Sequence, residues 1–82
     1  MLGALALDAR LRVVSLLSRA GKDGLAAGEI ARQLGLQPNT LSGHLTKLSQ
    51  ANILVSERRK TSIIYRLDEE SIRDLKMFLN SF

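Results

Sequence analysis

Three residues, Gly35, Leu36 and Gln37, are all that separate two stretches of helical patterning in this chain. Ile30, Ala31 and Leu34 recur at helical spacing over about 27–34, and Leu41, Leu45 and Leu48 do so over about 38–50. Gly35 reads as the left-handed residue that stops the first helix, and Pro38 opens the second where a missing N–H costs nothing. So tight a connection lets the first helix brace the second, which explains the small Ala31 at the crossing. The first helix is weakly capped. Ala26 offers no oxygen to the orphan N–H groups, and Glu29 compensates in part through the helix dipole.

Upstream, Asp8 reads as the cap of a helix over about 9–20. Leu11, Val13, Val14, Leu16 and Leu17 supply its apolar spacing, with Arg10, Arg12 and Arg19 between them, and residues 2–7 read as the end of an earlier helix. Gly21-Lys22-Asp23-Gly24 reads as a turn. Downstream, residues 53–57 and 62–67 read as two strands joined by a basic tip, Arg58-Arg59-Lys60-Thr61. Ile63, Tyr65 and Leu67 fall on one side of the second strand, Ile64 and Arg66 on the other. Asp68, Glu69 and Glu70 give an acidic start to a last helix over about 69–80.

These elements make a single domain over residues 1–82, mainly α with a small β-hairpin: a winged helix-turn-helix. The helix-turn-helix covers about 27–50 and the wing about 53–67. A chain of 82 residues buries only roughly 60% of its unfolded surface, so its own core is marginal. It has no cysteine for a disulfide framework or a thiolate metal site, and a second copy is the simplest source of added stability. Ile72, Leu75, Phe78, Leu79 and Phe82 exceed what so small a core can cover. With Leu2, Leu5 and Leu7 they are expected to form a homodimer interface of terminal helices.

The outward face of the second helix carries the chemistry. A helix in the major groove sits close to base edges and needs short polar side chains, and Gln37, Asn39, Thr40, Ser42 and His44 are donors and acceptors of that kind. Gly43 lets the backbone come near the DNA, and Lys47, one turn on, suits a phosphate. Two positions have alternatives: Gln37 as a helix cap, and His44 as a ring packed at the core edge with one nitrogen outward. Twelve Lys and Arg against eight Asp and Glu give a net charge of +4. Much of it lies in the wing, which carries Arg58, Arg59, Lys60 and Arg66, and of these Arg58, Arg59 and Lys60 are expected to meet phosphates beside the recognition helix. The tip has no glycine to turn it, which leaves its shape open.

The run from Leu25 to Leu48, LAAGEIARQLGLQPNTLSGHLTKL, resembles the ArsR family of bacterial winged-helix repressors, as do Asp8-Ala9-Arg10-Leu11-Arg12 and Ile63-Ile64-Tyr65-Arg66-Leu67. The resemblance spans nearly the whole chain, and its Thr-Leu-Ser-Gly-His-Leu core is the most specific part. It implies a homodimer that binds double-stranded operator DNA and represses until an inducer releases it, with terminal helices as the dimer interface. Where metal-sensing members carry cysteines this chain has Leu25, Ala26, Ala27 and Gly28, and its only histidine is His44. The resemblance therefore carries DNA binding but no metal or other cofactor, and it leaves the inducer unnamed.

Catalysis has no support: there is one histidine, no cysteine and no phosphate-cradling glycine loop. No apolar run approaches the roughly 18 residues of a membrane span, and the chain reads as cytoplasmic with no membrane partner. The competing reading is a protein-interaction module on a winged-helix scaffold, since fold does not dictate function. Such a module calls for aromatic or aliphatic anchors on the second helix, where this chain has Asn, Thr, Ser, Gly and Lys.

Overall fold

The computed structural model describes residues 2–81. Helix α1 (Leu2–Ala20) leads through a 3-10 turn (Gly21–Asp23) to strand β1 (Leu25–Ala26), followed by α2 (Ala27–Leu34) and α3 (Pro38–Gln50). Strands β2 (Leu54–Arg59) and β3 (Ser62–Leu67) form the wing, and α4 (Glu69–Asn80) closes the chain. The core gathers Val13, Leu16 and Leu17 of α1, Ile30 and Ala31 of α2, Leu41, Leu45 and Leu48 of α3, and Leu54 of β2. Tyr65 and Leu67 of β3 pack against it. Burying each large aliphatic contributes roughly 1.5–3 kcal/mol.

Helix α1 is one unbroken element and not two. Ala and Leu dominate its first turns, so nothing stops the helix before Asp8, which lies inside it and caps nothing. Its buried stripe is Ala9, Val13, Leu16 and Leu17. Leu11, expected to face inward, falls well round the helix from that stripe and stays 59% exposed.

The link from α2 to α3 is built as its sequence suggests. Gly35 takes φ 66° and ψ 32°. The Leu36 N–H then donates to the Ala31 carbonyl at 3.0 Å and the Gly35 N–H to the Arg32 carbonyl at 3.4 Å, which closes the helix end. The Arg12 guanidinium of α1 donates to the Leu34 carbonyl at 3.4 Å. Asn52 repeats the device after α3: with φ 62° it sets the Ile53 N–H 3.0 Å from the Leu48 carbonyl.

The sheet has three antiparallel strands in the order β1-β3-β2, one more than the expected hairpin. The addition is β1, whose Leu25 and Ala26 pair with Tyr65 and Ile64. Two residues are too few to display a strand's alternation, which is why patterning misses it. Gly24 makes the pairing feasible. Its φ of 65° with ψ of −167° is a backbone state that L side chains rarely adopt. A Cβ there would collide with the Tyr65 carbonyl oxygen and approach the Ile64 methyl to 3.0 Å.

In the wing, β2 continues through Arg58 and Arg59, so the expected four-residue tip narrows to Lys60 and Thr61. Lys60 takes the left-handed turn conformation, φ 57°, that a glycine would ordinarily supply. Ile63 is opposite Arg58, beyond the end of the core, and is 46% exposed, unlike Tyr65 and Leu67 on the same side of the strand. The Asp68 carboxylate caps α4, accepting from the Glu70 N–H at 3.2 Å and the Ser71 hydroxyl at 3.1 Å. The Asp68 N–H donates to the Ile53 carbonyl at 2.9 Å, which ties the start of α4 to the entry of β2. Among the described residues, no helix is long and apolar enough to cross a membrane.

Gly24→Ala should therefore lower stability by about 2 kcal/mol or more, since it adds a steric collision to an unfavourable φ. Gly21→Ala, with a similar φ of 70° but open space around its Cβ, should lose only about 1 kcal/mol. Urea unfolding of the two variants beside wild type measures the difference.

Candidate nucleic-acid interface

Helix α3 divides cleanly. Leu41, Leu45 and Leu48 are buried, and Asn39, Thr40, Ser42, Gly43, Thr46 and Lys47 are exposed. Gln37 occupies the cap position with its backbone only: its carbonyl accepts the Leu41 N–H at 2.9 Å, while its side chain makes no capping bond. The cap alternative thus leaves the Gln37 amide available. Thr46 is committed inwardly, its hydroxyl donating to the Ser42 carbonyl at 2.9 Å. The side chains of Gln37, Asn39, Thr40 and Ser42 make no hydrogen bond among the described residues, so their donors and acceptors face outward unspent.

His44 is half-buried, and its Nδ1 accepts from the Arg10 Nε at 3.4 Å. That contact leaves Nε2 as the ring nitrogen without a partner among the described residues. The packed position and an outward nitrogen are therefore compatible. The same bond brings Arg10 of α1 beside α3, a cation that the sequence reading did not assign to the site. The two residues are 34 positions apart, and no periodicity within either helix reveals their meeting.

Gly43 has no internal reason to be glycine. Its backbone is helical and a Cβ would meet no atom within 4 Å. Glycine inside a helix costs roughly 0.5–1 kcal/mol relative to alanine. Bare backbone is thus exposed on the outer face of α3.

The wing's cations do not act as one block. Leu54 pairs with Leu67, Ser56 with Tyr65 and Arg58 with Ile63, so Arg58 continues the core side of the sheet, where the helices lie. Glu57, Arg59 and Arg66 take the opposite side. There Arg59 grips Glu57 through two guanidinium nitrogens, at 3.1 and 3.0 Å. Among the described residues, Arg58 and Lys60 near the tip, and Arg66 on the opposite side of β3, are the wing cations without a carboxylate partner. On α2, Glu29 accepts from the Arg32 Nε at 3.0 Å and the Gln33 amide at 2.9 Å. These bonds, that from Arg32 foremost, lower its pKa to about 2, and they raise that of Arg32 in return. Arg32 is thereby spent within its own helix.

Among the described residues, no three His, Cys, Asp or Glu side chains gather to hold a metal ion. Of the expected interface residues, Leu5 is 69% exposed and Phe78 and Leu79 are each 59% exposed. Leu7, Leu11 and Met77 extend these two apolar surfaces. Ile72 is half-buried on the inner side of α4. The side chains of Leu2 and Leu75, and all of Phe82, lie outside the described residues.

A tight helix pair, a polar second helix and an antiparallel wing beside it define a winged helix-turn-helix domain. The helix-turn-helix domain family matches residues 5–57, more than half of the chain, and the chain belongs to that family. Its resemblance to ArsR-type regulators holds, and its relatives are transcriptional regulators and not enzymes. The HTH-type transcriptional regulator KmtR of Mycobacterium tuberculosis is 38% identical over 64 residues, which cover 78% of this chain and 48% of that protein. The chain thus spans about half the length of that relative. The AntR antimony-specific transcriptional repressor superposes with a TM-score of 0.69 at 32% identity, covering 88% of this chain and 64% of that one. A homodimeric winged helix-turn-helix DNA-binding domain from Mycobacterium bovis reaches a TM-score of 0.75 at 26% identity, covering 96% and 70%.

Gly43→Ala should raise the stability of the free protein by about 0.5–1 kcal/mol. If the exposed face of α3 enters a major groove, the added methyl group should also weaken DNA binding. Paired unfolding and binding curves check both signs.

Proposed function

We propose that this chain is the DNA-reading unit of a homodimeric transcriptional repressor. The observation that carries the reading is the exposed face of α3: polar side chains without internal partners around a glycine that neither packing nor φ requires. Gln37, Asn39, Thr40 and Ser42 address base edges in the major groove, and the His44 Nε2 adds a polar atom at the rim. Lys47, Arg58 and Lys60 meet phosphates and fix the register, with Arg10 a further cation on that side. Two copies related by a two-fold axis set their α3 helices in successive major grooves, about 34 Å apart, so the operator is an imperfect palindrome. Leu5, Leu7 and Leu11 of α1 with Phe78 and Leu79 of α4 supply the apolar surface through which the copies join. The homodimeric domain from M. bovis and the antimony-specific repressor support dimerisation and repression respectively. The face of α3 has none of the aromatic or aliphatic anchors that a protein-docking surface needs.

Fluorescence anisotropy with duplex DNA from upstream of the protein's own gene, beside a scrambled duplex, tests this reading. Ser42→Ala and Thr40→Ala should reduce the preference for the upstream duplex by roughly tenfold each, the loss of one base contact at about 1–3 kcal/mol. Arg58→Ala should weaken both duplexes alike and flatten the log–log salt slope by about 0.9. Arg59→Ala should change that slope much less, since Arg59 is already held by Glu57. An Arg58 variant with the wild-type slope at every salt concentration would sink the wing assignment.

A further inference from the structure

A groove of about 670 Å³, with no α3 residue in its lining, separates α4 from the body of the domain. One wall is the α4 face Glu69, Ile72, Arg73 and Lys76, a spacing of i, i+3, i+4 and i+7 that an amphipathic helix would normally press onto its core. The opposite wall comes from the end of α1, the 3-10 turn and β3. Leu17, Leu67 and Ile72 give the groove an apolar lining. Lys22, Arg66, Arg73 and Lys76 surround it with positive charge, and Glu69 is the one carboxylate there. None of the four cations pairs with a carboxylate or makes a hydrogen bond among the described residues. Like charges gathered at an apolar cleft repel one another, and a bound anion removes that cost.

We propose that this groove binds a small amphipathic organic anion, a carboxylate carried on an aromatic or alicyclic frame. The volume falls within the roughly 300–1,000 Å³ typical of small-molecule sites. Arg66 and Arg73 offer planar guanidinium forks suited to a carboxylate, while the half-buried Leu67 and Ile72 take the ring. The site shares no residue with α3 or the wing tip, so its occupant does not compete with DNA for side chains. An occupant instead bridges α4 to the body and fixes the angle between them. Because α4 carries part of the apolar surface that joins two copies, that angle sets the separation of the two α3 helices. This consequence rests on the reading of the chain as a dimeric DNA binder; the binding site itself does not.

Isothermal titration and ¹⁵N–¹H spectra of the full chain with 2-naphthoate, beside the neutral isostere 2-naphthamide, test the site without DNA. The naphthoate should bind at least tenfold more tightly than the amide and shift the amide signals of Gly21, Leu67 and Ile72. Arg66→Gln and Arg73→Gln should each weaken it about tenfold, the loss of one charge-assisted contact. Lys22→Gln, on the exposed turn, should weaken it more modestly and serves if the arginine variants fail to fold. Equal binding of acid and amide, shifts confined to the exposed ends of α1 and α4, or undiminished binding by the variants would overturn the site. So would the absence of binding because a second copy fills the groove. With the site established, naphthoate that leaves the affinity for the upstream duplex unchanged overturns the regulatory consequence alone. A protein that binds naphthoate but no DNA contradicts the repressor reading and leaves the site standing.

Discussion

The Leu36 N–H and the Ala31 carbonyl, 3.0 Å apart across the left-handed Gly35, fix the direction in which the chain leaves α2. Everything that follows depends on that direction. It brings Leu41 and Leu45 onto Ile30 and Ala31, which are 0% and 7% exposed, and so decides which side of α3 is consumed by the core. Because a helix buries one face, the same contact turns Asn39, Thr40, Ser42 and Gly43 outward. A residue with a Cβ at position 35 would carry the cost of a left-handed φ, although the space around that Cβ is open.

The second constraint is electrostatic. The chain's net charge of +4 is not spread evenly, and its cations differ in what already holds them. Arg32 and Arg59 are bound by Glu29 and Glu57, and Arg10 and Arg12 donate to His44 and to the end of α2. Arg58 lies on the core side of the sheet, Lys60 at the wing tip and Lys47 on α3, while Lys22, Arg66, Arg73 and Lys76 gather at the α4 groove. Surface ion pairs such as Arg59–Glu57 add little stability. They set where the Arg32 and Arg59 guanidinium groups rest in the free protein. A basic run in a sequence is therefore not one binding patch, since the pleat of a strand sends successive residues to opposite sides.

Much of this architecture is legible in the residues. Leu34-Gly35 and Pro38 mark the ends of α2 and α3, and the leucines of α3 name its buried stripe because a period near 3.6 leaves little choice. Asp68 announces α4 and does cap it. What patterning misses has physical reasons. Strand β1 is two residues long and exists because Gly24 can approach the Tyr65 carbonyl, a tertiary circumstance without a local signature. Asp8 looks like a cap because its side chain can be one, but the helix formers before it keep α1 continuous. The joining of Arg10 to His44, and the split between Arg58 and Arg59, follow from packing and register, which sequence spacing alone does not give. The α4 groove arises the same way, from three elements that meet only in the folded chain.

The most direct test of α3 as the reading surface is a ¹⁵N–¹H titration of the full chain with a duplex from upstream of its own gene. The largest amide shifts should fall on Thr40, Ser42, Gly43 and Lys47, with a second set at Arg58 and Lys60, while the buried Val13 and Leu17 stay in place. Shifts confined to the α4 groove or to the exposed ends of α1 and α4, with the amides of α3 unmoved, would contradict the assignment.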